Sequence, residues 1–105
     1  MTSNPFELLM QECPTIARAY GALVQAQAAT DALDPVTKQL INIAIQTAQK
    51  NPTGVRHHAA MARAVGASRE AVISAVVMNL HLSGLDPVLL SLRAVIEGWE
   101  EAGPS

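Results

Sequence analysis

The sequence is poor in thiols, aromatic rings and charge. It holds one Cys, one Phe, one Tyr and one Trp in 105 residues. Cys13 has no second thiol to pair with, which excludes an intramolecular disulfide and any Cys-x-x-Cys redox or zinc site. With aromatics at 3% and hydrophobic residues at 50%, a core has to be built from Ala, Val, Leu, Ile and Met. Charged residues reach 15%, against about a quarter in an ordinary domain, so a solvated tail or a disordered chain is excluded. A net charge of −2 and a pI near 5.8 leave no electrostatic footprint for DNA or RNA, and no nucleic-acid partner is expected. The uncharged run over residues 71–85 is interrupted by Ser74, Asn79, His81 and Ser83. It is also shorter than the roughly 20 residues a bilayer span needs. Residues 1–5 carry neither the basic nor the apolar part of a secretory leader. The expectation is a soluble, cytoplasmic protein with no membrane partner.

What is present is helical punctuation. Asn4-Pro5, Asp34-Pro35 and Asp86-Pro87 each place a capping side chain before a proline at the first helical position. Leu33-Asp34-Pro35-Val36 recurs as Leu85-Asp86-Pro87-Val88, a helix-start device used twice with no wider repeat. Val65-Gly66 followed by Ala67-Ser68 reads as a glycine stop, a short turn and a new cap. Asn51-Pro52-Thr53-Gly54 reads as a turn. These marks predict six helices, at residues 5–12, 14–29, 35–50, 55–65, 69–83 and 87–101. No segment alternates with period two. The expected fold is all-α, a bundle of about six helices in a single domain over residues 1–105.

Two of these segments are unusual. On the helix from residue 35, Gln39, Asn42, Gln46 and Gln49 share one stripe, with Val36, Leu40, Ile43, Ala44 and Thr47 opposite. A neutral amide stripe either lines a polar cavity or subunit seam, where an unpaired charge would be costly, or is simply a Gln-rich solvated face. The segment from residue 69 is apolar nearly all round, through Val72, Ile73, Val76, Val77, Met78, Leu80 and Leu82. Such a helix is buried on every side, and in so small a chain its neighbours are expected to include a second copy.

Chemistry concentrates in Val55-Arg56-His57-His58. At 100° per residue, Val55, His58, Met61, Ala62 and Val65 share a face, Arg56 and Arg63 lie opposite, and His57 sits between. His58 near a helix start has two readings. Burial and the helix end would favour neutral imidazole, able to act as a base or to donate one hydrogen bond to a carboxylate or carbonyl. Alternatively it is a core histidine bonded to an amide of the Gln39/Asn42/Gln46 stripe. Adjacent His57 and His58 diverge on a helix and have no carboxylate or thiol at ligand spacing, so no metal is expected. His81 reads as structural, and Cys13 as a small buried filler.

The order Leu33-Asp34-Pro35, Lys38-Gln39-Leu40-Ile41 and His58-Ala59-Ala60-Met61-Ala62-Arg63-Ala64-Val65-Gly66-Ala67-Ser68-Arg69-Glu70 resembles the carboxymuconolactone decarboxylase family. That family includes the alkylhydroperoxidase D-like proteins, and the resemblance runs over residues 6–98. It implies an oligomer, a trimer or a hexamer, and no cofactor. Redox members carry Cys-x-x-Cys-x-x-x-His with a glutamate on the preceding helix. The corresponding positions here are Asn51, Gly54 and Gln39, which can form neither thiolate nor disulfide nor shuttle a proton. Only His58 of that set is retained. Decarboxylase members use no cysteine pair, and resemblance to them implies a small lactone or carboxylate substrate.

Two functions therefore stand beside each other. In one, a non-redox enzyme or binder of a small anionic molecule uses His58, with Arg56 or His57 attracting the anion. Gln39, Asn42 and Gln46 would orient it beside the Asn51 and Gly54 positions. In the other, a catalytically inactive oligomeric member that has lost thiol hydroperoxidase activity serves as a scaffold.

Overall fold

A proline opens four helices in succession, because its missing N–H costs nothing in a first turn and its fixed φ suits the helix. In the computed structural model, which describes residues 4–103, these are α1 (Pro5–Glu12), α2 (Pro14–Ala28), α3 (Pro35–Ala48) and α4 (Pro52–Ala64). They are followed by α5 (Arg69–Val77), a 3-10 turn at Met78–His81 and α6 (Leu85–Ala102). Residues 1–3, part of the segment read above for a leader, lie outside the described residues. Among the described residues there is no strand, and no helix is long and apolar enough to cross a membrane.

The described residues divide into two compact units, 4–32 and 33–103. The first is a helical hairpin. Asn4 Oδ1 caps α1 by accepting from Phe6 N at 2.8 Å, and half-buried Cys13 joins α1 to α2. The Phe6 and Tyr20 rings stack across the hairpin with centroids 6.2 Å apart. No residue of either helix is buried.

The second unit holds the core: Ile43 from α3, Val55, Ala59 and Ala62 from α4, Val72 and Val76 from α5, Val88 and Val95 from α6. No Leu or Met belongs to the fully buried set, while Leu40 and Leu92 pack against it half-buried. The second unit's Leu80, Leu82, Leu85, Leu89 and Leu90 are all exposed. Small residues win the interior because the helices approach closely. At Gly98 an added Cβ would strike the backbone carbonyl of Arg56, so α6 can cross α4 only with glycine there. Ser91, buried on α6, leaves its hydroxyl without a partner.

Four helix boundaries differ from the sequence reading by two residues or more, the first being the end of α3 at Ala48 instead of residue 50. Asn51-Pro52 is a fourth cap–proline start, not a free turn, and α4 begins three residues earlier than Val55. The α5 segment does not run to Ser83, because Asn79 ends it. Its Nδ2 lies within 3.3 Å of the carbonyls of Ala44 and Val76, and its Oδ1 accepts from Ser83 Oγ at 2.8 Å. Its own carbonyl takes the N–H groups of Leu82, Ser83 and Gly84. Gly84, at φ +95°, then starts α6 ahead of Asp86, which sits in the first turn instead of capping it. Within the chain the segment from α5 through the 3-10 turn is buried on one side only: Val77 at the end of α5 is exposed, and so are Met78, Leu80, His81 and Leu82 after it.

Candidate functional site

The α3–α4 corner brings most of the candidate residues together. After Ala48 the chain reverses through a Schellman stop: Asn51 N donates to Gln46 O and Lys50 N to Thr47 O, both at 3.0 Å. Lys50 occupies the left-handed position at φ +56°, where glycine is the usual residue. The reversal delivers Asn51 to both sides of the corner. Its Oδ1 accepts from Gly54 N at 3.2 Å, capping α4, and its Nδ2 donates to Gln46 Oε1 at 2.8 Å. Gly54 has no Cβ, and the far end of Gln46 fills the space one would take. Gln46, Asn51 and Gly54 are therefore one interlocked set.

Two turns further from the corner lies the second set. His58 Nδ1 is 2.9 Å from Gln39 Oε1, and Asn42 Nδ2 reaches the same oxygen at 3.4 Å. An amide oxygen only accepts, so Nδ1 carries the proton and Nε2 keeps its lone pair. Half-burial holds the His58 pKa below its usual value, with the positive charge of His57 as the lesser cause. His57 is exposed, with its ring centroid 5.3 Å away, edge to face. The expected contribution of the helix start falls away. With α4 beginning at Pro52, His58 stands nearly two turns inside it, and end effects fade within the first turn.

Arg56 lies elsewhere. It projects towards α6, where it pairs with Glu97 at 3.3 Å and with Glu101. Arg63 follows it on that side, stacking 3.7 Å over the Trp99 ring and donating to Trp99 O at 2.8 Å. The Trp99 indole in turn donates to Ala67 O at 2.9 Å. Neither the α4–α6 clamp nor the role of Asn79 was legible as a motif. Lys50 carries no sequence signal either, because no glycine marks the turn it makes.

His58 lines neither of two cavities found in this unit. One, of about 450 Å³, is an apolar groove between α3 and α5. The other, of about 250 Å³, lies between α4 and α6 beside Arg56 and Arg93. The groove is the larger of these two and offers no titratable side chain. Among the described residues no group of three His, Cys, Asp or Glu side chains could hold a metal ion.

An all-helical bundle with one histidine set against an amide on the preceding helix is the class defined by these observations. The chain belongs to the carboxymuconolactone decarboxylase family, whose model matches residues 14–97. Its structure is similar to that of the apo form of a carboxymuconolactone decarboxylase family protein from Legionella pneumophila, with 26% identity and a TM-score of 0.81. That likeness covers 93% of this chain and 87% of the other. No curated protein matches the chain.

Proposed function

We propose that this family member works without thiol chemistry, binding or transforming a small carboxylate or lactone through His58. The observation that carries this reading is the His58 Nδ1–Gln39 Oε1 contact at 2.9 Å. With Nδ1–H committed to Gln39, the neutral ring meets a ligand through Nε2 alone, as a proton acceptor. The donor role that the isolated sequence also allowed then requires the imidazolium, which burial and His57 both disfavour. In this reading Nε2 takes a proton from the bound molecule and returns it, so the ring ends each cycle neutral. Gln39, itself contacted by Asn42, sets the tautomer and the ring plane. Exposed His57 supplies attraction for an anion as the two approach, while Arg56 is committed to Glu97 and Glu101. The Gln46–Asn51–Gly54 set shapes the neighbouring wall. The reading includes a homo-oligomer, a trimer or a multiple of one, supported by the exposed leucines of the second unit.

A thermal-shift series of small mono- and dicarboxylates and lactones tests it, run on the native protein, His58→Ala and Gln39→Ala. A compound at 100 times its dissociation constant adds about 2.7 kcal/mol of stability. The expected result is a compound that stabilises the native protein and loses that effect in His58→Ala. If no compound shifts the native protein while His58→Ala is merely less stable, the histidine is a core residue and the scaffold reading takes over.

A further inference from the structure

We propose that the cavity between α4 and α6 binds a small monocarboxylate with an apolar body, held by the guanidinium of Arg93. The site is separate from His58, which does not line this cavity, and it stands whether or not His58 acts as a base.

Three arginines of the second unit are tied down. Arg56 holds Glu97 and Glu101, Arg63 lies over Trp99 and donates to its carbonyl, and Arg69 holds Glu100. Arg93 alone has no hydrogen bond, ion pair or ring contact among the described residues. Its natural partner is Glu97, one helical turn on along α6, but Glu97 Oε1 faces Arg56 at 3.3 Å. The competition leaves Arg93 with its whole donor fork unused. A guanidinium stays charged at any working pH, and its parallel N–H groups match the two oxygens of a carboxylate.

The cavity supplies the rest. At about 250 Å³ it falls below the roughly 300–1,000 Å³ of pockets for drug-sized molecules, so its occupant is small. Its charged lining is Arg56, Arg93 and Glu97. Two guanidinium groups against one carboxylate leave a single positive charge, which a monoanion neutralises and a dianion overshoots. Leu90, Arg93, Ala94 and Glu97 share one face of α6 at helical spacing, so Leu90 and Ala94 set carbon beside the free guanidinium. Pro52 faces them from the first turn of α4. Leu90 is 48% exposed and gains from being covered. A carboxylate on Arg93, with its hydrocarbon part along Leu90 and Ala94, meets both the charged and the apolar lining.

Benzoate titrated into the 15N-labelled full-length chain at constant ionic strength, followed by NMR, tests the site. The expected result is a saturable shift of the Arg93 Nε–H and of the Leu90 and Ala94 amides. No saturable shift at Arg93 rejects the proposal. Arg93 is exposed, so Arg93→Gln should keep the native spectrum while raising the dissociation constant read at Leu90 at least tenfold. Arg69→Gln removes an equal charge outside the cavity and should leave that constant within twofold. Equal weakening by the two substitutions would mean general charge attraction and would overturn the site. In His58→Ala the constant should again stay within twofold. Loss of binding there puts benzoate at the histidine, which rejects the Arg93 site and leaves the His58 reading standing. Inorganic phosphate, without an apolar body, should bind at least tenfold more weakly than benzoate, and phosphate binding as tight as benzoate overturns the choice of a monocarboxylate.

Discussion

The two units use the same local rules and reach opposite results. In the hairpin, Asn4-Pro5 and Cys13-Pro14 start two amphipathic helices in which nothing is buried. In the second unit, Asp34-Pro35 and Asn51-Pro52 start two more, and Ile43, Val55, Val72, Val76 and Val95 are fully enclosed. Helix starts are a matter of neighbouring residues, whereas enclosure depends on close approach. Close approach comes from Ala59, Ala62 and Gly98, which allow α4 and α6 to cross tightly. The hairpin has large side chains where the core has small ones. Small side chains let two helices close an interior within one chain, and large ones hold them apart.

The sharpest way to break that contrast is to add a methyl group where the second unit has no room. In Gly98→Ala the new Cβ meets the Arg56 carbonyl, a backbone atom that cannot swing aside. A destabilisation of about 3 kcal/mol is expected, read from the midpoint of urea denaturation. A loss below about 1 kcal/mol would show that α4 and α6 can separate at no great cost.

Val95→Ala and Leu23→Ala compare the units directly. Val95 is fully buried, and its truncation should cost about 2 kcal/mol of unfolding free energy. Leu23 is 54% exposed, so Leu23→Ala should change the unimolecular stability by less than about 0.5 kcal/mol. Its effect should appear in the concentration dependence of the melting temperature. Equal losses at high dilution would remove the distinction between enclosed and uncovered residues.

A smaller effect of opposite sign is expected at Lys50. Its φ of +56° is comfortable for glycine and strained for lysine, so Lys50→Gly should stabilise the chain by about 0.5–1 kcal/mol. If Lys50→Gly is destabilising, the lysine side chain makes a contact that outweighs the backbone strain.

Much of the fold was legible because its signals are local. Cap–proline pairs and the Gly66 stop lie within four residues of the boundaries they set, and Gly66 does take a positive φ of +106°. Structure departs from the local signals where a distant group decides. Asn79 ends α5 by reaching Ala44 on α3, a contact 35 positions away that no helical period reports. Asp86 yields the start of α6 to Gly84 because the Asn79 carbonyl has already turned the chain there. At the candidate site, the stripe of Gln39, Asn42 and Gln46 was readable from spacing. Its division into one group at His58 and another at Asn51 follows from the antiparallel return of α4. The same early start of α4 moved His58 away from the helix end.

The finest comparison is between His58 and its exposed neighbour His57, and pH separates them. Burial lowers the native pKa of His58 from its ordinary 6.5, so near that pH the unfolded chain binds more protons at this residue than the folded one does. Stability should therefore rise with pH through this window and fall as acid takes the pH below 6.5 towards the native value. His58→Gln should flatten that part of the stability curve, and His57→Gln should leave most of it, since burial outweighs the His57 charge. Gln39→Glu sharpens the point. A carboxylate in place of the Oε1 that now sits 2.9 Å from Nδ1 would favour the imidazolium and raise the His58 pKa, measured from its ring-proton NMR shifts. An unchanged titration in Gln39→Glu would mean that residue 39 does not govern the ring, and the Nε2 base would lose its positioning partner.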